Sequence, residues 1–158
     1  MNLNIEPQVI ICNGYARMPE YATDGSAAMD LYPSIGTDVV VQPGETRVFS
    51  TGLKIWVNDP NVCCLCLPRS GLGTKHGMIL ANTVGLIDSD YQGEWKIAIY
   101  NRSKKAYRLT PKDAIAQALF TPVVKVTDFN VVNDFVEETV RGEGGFGSTD
   151  KNNGSPES

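Results

Sequence analysis

The segment "EWKIAIYN", Glu94 to Asn101, alternates strictly. Trp95, Ile97 and Ile99 fall on one face of an extended chain, and Lys96, Ala98 and Tyr100 on the other. A period of two sets one face of a strand against a core, whereas a helix would scatter these residues around its circumference. The segments "QVIICNG", "AAMDLYPS", "ETRVFSTGLKIWV", "NVCCLCLP", "KAYRLT" and "AQALFTPVVKV" are comparably short, and Gly, Pro, Asn or Asp bounds them. Several are rich in Val, Ile, Tyr and Thr, which fit a pleated surface. No window sustains a 3.6-residue period, and "GLGTKHG" has room for about one helical turn. The pattern predicts an all-β domain, either a barrel or a jelly-roll-like sandwich.

A chain of 158 residues is long enough for one domain with a proper core and short for two. Its net charge of −4 leaves no basic stripe to displace phosphate counterions, which argues against a nucleic-acid surface. A small anionic ligand remains compatible, since a few local cations suffice. The opening "MNLNIEPQVIICNG" lacks a basic segment followed by an apolar run, and no stretch has the length to span a bilayer. A cytoplasmic protein with no membrane partner is expected. In "VCCLCL", Cys64 and Cys66 share one face of a strand and Cys63 takes the other, a poor geometry for a metal. With Cys12, these are expected to be buried free thiols in a reduced compartment.

Three polar loops stand between apolar segments. In "LPRSGLG", Pro68 ends a strand, and Arg69 and Ser70 enter a glycine turn whose backbone N–H groups can face an anion. On this segment alone, an ordinary strand-to-turn corner with a surface arginine is the favoured alternative. In "NTVGLIDSDYQGEW", an apolar run ends in Asp88, and the whole reads as a β-hairpin with carboxylates at its tip. Asp88 is either a turn former or a carboxylate partly shielded by the apolar stretch and able to hold a water. In "GSAAMDLYPS", Asp30 faces opposite to Met29 and Leu31, and either caps a turn or reaches a cation. His76, the single histidine, lies in a polar loop and is given no role.

The segment "RGEGGFGSTD", Arg141 to Asp150, packs four glycines around one phenylalanine. A linker needs no aromatic ring, and a core strand would not tolerate the glycines. Residues 151–158, "KNNGSPES", hold no apolar side chain and are expected to be disordered. The expected division is a β domain over 1–140, a glycine-rich arm over 141–150 and a tail over 151–158.

Taken in order, "AAMDLYPS", "LPRSGLG", "NTVGLIDSDYQGEW", "DAIAQALF" and "RGEGGFGST" resemble the five motifs of the trimeric dUTPase family, from about Gly14 to Thr149. The resemblance implies a jelly-roll-like homotrimer that hydrolyses dUTP to dUMP and pyrophosphate with Mg²⁺, at sites shared between subunits. It implies that Arg69, Ser70, Gly71 and Gln117 bind the phosphates. Asp88 would orient and activate the attacking water, and Asp30 would hold Mg²⁺ through its water shell. Asn82, Gly85, Leu86, Ile87 and Lys96 would receive the base through the segment's backbone, and Tyr91 would lie on the deoxyribose. Arg141, Phe146, Gly147, Ser148 and Thr149 would belong to a mobile arm that closes over a neighbouring subunit's site. Asp150 stands where many members have glycine, and Lys96 occupies a variable position.

Two rivals accompany this reading. A dCTP deaminase has the same fold but uses a glutamate in the base pocket, where "GLIDSDYQG" offers Asp88 and Tyr91. A regulatory protein could instead use nucleotide binding to switch partners; an intact Asp88 and arm predict turnover.

Overall fold

A computed structural model of the chain describes residues 4–144. Its elements, in order, are β1 (Gln8–Ile11), β2 (Met29–Leu31), β3 (Val39–Val41), β4 (Thr46–Trp56), β5 (Val62–Leu67), α1 (Ser70–His76), β6 (Met78–Leu80), β7 (Gly85–Ile87), β8 (Glu94–Asn101), β9 (Tyr107–Leu109) and β10 (Ala116–Pro122). All pairings are antiparallel. One sheet runs β1-β4-β8-β6, a second runs β2-β10-β5-β7, and β3 pairs with β9. The chain is the expected all-β, jelly-roll-like domain.

The alternation read in β8 decides how these layers meet. Trp95, Ile97 and Ile99 are buried, Lys96 is exposed, and Ala98 and Tyr100 are half-buried. Their buried face meets Leu31, Cys64, Cys66, Ala116 and Ala118 of the other sheet, with Phe49, Leu53 and Ile55 of β4 completing the core. Trp95 anchors this packing: it is 1% exposed, its indole N–H donates to the Ile55 carbonyl at 3.2 Å, and its ring centroid lies 6.3 Å from that of Phe120. Burial of a side chain this large contributes on the order of 3 kcal/mol or more.

Every segment read as a strand contains one, but β3, β6 and β7 span three residues each, too few to display a period. A larger correction concerns the segment read as a hairpin. β7 pairs with β5 and β8 pairs with β4 and β6, so Asp88–Gly93 crosses from one sheet to the other. Cys63, Cys64 and Cys66 are buried thiols, whereas Cys12 is exposed, against expectation. Hydrogen bonding to Cys66 and burial push the Cys64 thiol above its ordinary range.

The chain divides into two units, the first ending at Val124 and the second starting at Lys125. Within the second, no strand or helix forms among the described residues, and Val126, Phe129, Val131, Phe135, Val136 and Val140 are exposed. Arg141 Nε donates to the Gly144 carbonyl at 2.8 Å across a short turn.

Candidate active site

Strand register assembles the first half of the site. Gln117 of β10 stands opposite Asp30 of β2 on one side and Leu67 of β5 on the other. Arg69 follows two residues after Leu67, so all three polar side chains reach the same end of the sheet. The Asp30 carboxylate is 12% exposed, and its Oδ1 accepts from Arg69 Nε at 3.2 Å and from Gln117 Nε2 at 3.4 Å. Arg69 Nη1 also donates to the Ala114 carbonyl at 3.0 Å, which fixes the plane of the guanidinium.

Beyond Arg69, the expected glycine turn is a two-turn helix, α1. Its buried residues are Leu72 and Gly73, and Gly77 closes it in the left-handed region at φ 71°. Burial of Leu72 outweighs the poor helix propensity of the two internal glycines. Ser70 and Gly71 therefore open a helix, where backbone N–H groups lack intrahelical acceptors. Together with Leu72, Lys75, His76, Tyr107 and Gln117, Arg69, Ser70 and Gly71 line a pocket of about 320 Å³. His76 is exposed as expected, yet it lines this pocket with its ring 5.0 Å from that of Tyr107. Reading "SGLGTKH" as a helix capped by Gly77 would have brought Lys75 and His76 into view. Nothing in the sequence pointed to Tyr107. Burial and the nearby Asp113 carboxylate raise its phenol above the ordinary range, with Arg69 opposing, so it remains a neutral donor.

The second half is a cleft of about 280 Å³ where the two sheets part at their edges. Asn82, Gly85, Leu86 and Ile87 line one side, with Trp95, Lys96, Ile97 and Ala98 on the other and Cys66 and Leu80 also lining it. Packing at Gly85 is tight: an added Cβ would stand 3.1 Å from the Cβ of Cys66, which would have to give by a few tenths of an ångström. At the rim, Thr83 has a φ of 62°, unusual for a β-branched residue, and the Val84 N–H donates to the Asn82 carbonyl at 2.7 Å. Asp88 lines the same cleft but is exposed, so the expected shielding is not supplied by the apolar run before it. Its backbone is ordered nonetheless: its carbonyl accepts from the Tyr91 N–H at 3.2 Å, and the Ser89 carbonyl accepts from Asn58 at 3.1 Å. Glu94, which lies just beyond "GLIDSDYQG", also lines the cleft; its Oε1 accepts from the Ser50 hydroxyl at 2.5 Å.

The two halves share no lining residue, so within one chain Asp88 and Arg69 open onto different pockets. Arg141 belongs to the second unit. Phe146, Gly147, Ser148 and Thr149 lie outside the described residues. Among the described residues, no three His, Cys, Asp or Glu side chains gather as a metal site. One carboxylate, Asp30, stands beside the phosphate-type donors. That donor set fits Mg²⁺, which keeps several waters and draws its other ligands from substrate phosphates.

An arginine–carboxylate–glutamine cluster, a separate cleft ending in a carboxylate, and the fold now stand together, and residues 14–150 match the family described as dUTPase. The chain belongs to the dUTPase family. Among its relatives, the deoxyuridine 5'-triphosphate nucleotidohydrolase of Haemophilus influenzae (strain PittEE) is 51% identical over 134 residues, covering 85% of this chain and 87% of that protein. The protein of the same name from Neisseria meningitidis serogroup A is 48% identical over 149 residues, covering 94% and 98%. In fold, the chain is similar to the dUTPase of Staphylococcus bacteriophage 80alpha with dUPNHPP at a TM-score of 0.80 and 25% identity, over 90% of this chain and 97% of the other. A dUTPase variant from phage phi11 of S. aureus, which holds a structural Mg(II) ion, is similar in fold at a TM-score of 0.72, with 22% identity over 82% and 98%.

Proposed function

We infer that the chain hydrolyses dUTP to dUMP and pyrophosphate. Membership of the dUTPase family over residues 14–150 carries this reading, and the two pockets supply its chemistry. The triphosphate enters the cationic pocket, where Arg69, Ser70, Gly71 and Gln117 hold its oxygens. The pyrimidine enters the cleft beside β7, which ends its sheet next to β5 among the described residues and offers its outer edge to uracil's polar atoms. Cytosine presents the wrong donor pattern to such an edge. Thymine adds a methyl group, and a difference of that size is worth roughly 1–3 kcal/mol, so the packed wall at Gly85 and Cys66 has to be close.

Asp88 holds the attacking water. As the water oxygen bonds to the α-phosphorus, its proton passes to the Asp88 carboxylate, and the bond from that phosphorus to the bridging oxygen breaks. Pyrophosphate leaves with the electron pair of that bond. When bound, Mg²⁺ neutralises charge on the phosphates; Asp30 would hold it through water.

Because Asp88 and Arg69 open onto different pockets, a complete site needs the cleft of one copy to meet the phosphate pocket of another. A homotrimer with three shared sites satisfies this, and burial at such an interface supplies the shielding that Asp88 lacks in one chain. The arm from Arg141 then closes over a neighbour's site: Phe146 stacks on the base, Arg141 reaches the terminal phosphate, and Gly147, Ser148 and Thr149 donate to phosphate oxygens. Among the described residues, no helix is long and apolar enough to cross a membrane, and the free thiols support a cytoplasmic location.

Pyrophosphate release by the purified chain with Mg²⁺ tests the reading across dUTP, dTTP, dCTP and UTP. Turnover confined to dUTP is expected. Ammonia release from dCTP, or binding of dUTP without turnover, would replace it with one of the two rivals.

A further inference from the structure

The crossing between the sheets closes on itself at the mouth of the base cleft. The Tyr91 N–H donates to the Asp88 carbonyl at 3.2 Å, and the Tyr91 hydroxyl donates to the Glu94 carbonyl, also at 3.2 Å. Glu94 is itself held, since its carboxylate accepts the Ser50 hydroxyl from the neighbouring strand. The Tyr91 ring therefore lies back across residue 93. A Cβ built on Gly93 would overlap the Tyr91 hydroxyl oxygen and two carbons of its ring.

Two facts separate this glycine from an ordinary turn former. Its φ is not in the left-handed region, so its backbone is one that any residue can adopt. The atoms in the way are the far end of a side chain able to swing, not backbone. A larger residue at 93 is therefore accommodated by moving Tyr91, with the fold left intact.

We propose that Gly93 is a positioning residue: the space left by its missing side chain seats the Tyr91 ring at the sugar end of the cleft, and so sets how strongly ribonucleotides are rejected. The proposal rests on the dUTPase reading. Tyr91 meets the sugar; Gly93 acts only through it.

The test compares the full chain with Gly93→Ala, Tyr91→Ala and the double variant. For each, kcat/KM for dUTP is measured, along with the inhibition constant of UTP against dUTP turnover, so UTP hydrolysis is not required. Turnover of dUTP by the unaltered chain is the control, and its absence counts against the dUTPase reading rather than this one. Gly93→Ala is expected to keep its melting temperature and to reduce the preference for dUTP over UTP by about tenfold or more. In the Tyr91→Ala background, the same change should alter the preference by less than about twofold. An unchanged preference in Gly93→Ala, or an equal drop in both backgrounds, overturns the proposal. Should Gly93→Ala not fold, Tyr91→Phe carries the test, since it removes only the tether to the Glu94 carbonyl. A severalfold loss of preference supports the seat, and no loss overturns it.

Discussion

Arg69 is engaged before any substrate arrives, with Asp30 on one side and the Ala114 carbonyl on the other. Arg69→Ala leaves a nearly buried carboxylate without its counter-charge. Because Arg69 is itself 36% exposed, solvent screens the pair, and the expected loss is at the low end, about 1 kcal/mol in urea denaturation. Unchanged stability would mean that the pair does not hold the sheet end together. Asp88→Asn tests the other pocket. The amide keeps the size of the carboxylate but cannot take a proton, so kcat should fall by roughly two to four orders of magnitude while binding of a non-hydrolysable dUTP analogue, read by calorimetry, stays within a few-fold. Equal losses in both would remove Asp88 from water activation. The sequence located both residues correctly at strand ends, because a change from apolar run to polar turn is a local signal. It could not reveal the Arg69–Asp30 contact, which depends on β10 lying between β2 and β5, nor the exposure of Asp88, which depends on what surrounds it in space.

At the scale of elements, the strongest alternation was the most legible. β8 displayed its buried face because a two-sided strand has to alternate. The same logic says nothing about which strand lies alongside, so β7 and β8 read as partners although they belong to different sheets. The helix α1 was read as no more than about one turn for an energetic reason: its internal glycines disfavour it locally, and burial of Leu72 and the cap at Gly77 extend it to Ser70–His76. Gly77→Ala probes that balance. The added Cβ meets a left-handed backbone and stands 2.8 Å from the Cβ of Ser103, so a loss of about 1–3 kcal/mol is expected in thermal denaturation. A melting temperature equal to that of the unaltered chain would show that the cap contributes nothing.

For the whole molecule, removing residues 141–158 is expected to leave the melting of the β domain nearly unchanged, because its last strand ends at Pro122. Turnover of dUTP should fall roughly a hundredfold or more through loss of the closing arm. Full activity after the deletion would refute the arm. Stability should also decline in alkali. Burial raises Tyr32, with its hydrogen bond to Glu20 adding to the effect, and burial and Asp113 raise Tyr107. A phenol whose folded value lies above the unfolded 10.0 contributes stability that is complete below that pH and lost as pH rises through the folded value. Denaturant midpoints that hold steady from pH 9 to 12 would contradict the burial of these rings. Exposure was the least legible property, since apolar residues such as Val131 and Phe135, which are exposed in the chain, look the same in sequence as residues of a core. In the proposed complex the base docks on the outer edge of β7 and would be recognised by main-chain atoms, which substitutions other than proline at Leu86 and Ile87 leave in place. Libraries of point variants at these two positions should therefore yield few enzymes with a new base preference, and changes in loop length are the more productive search.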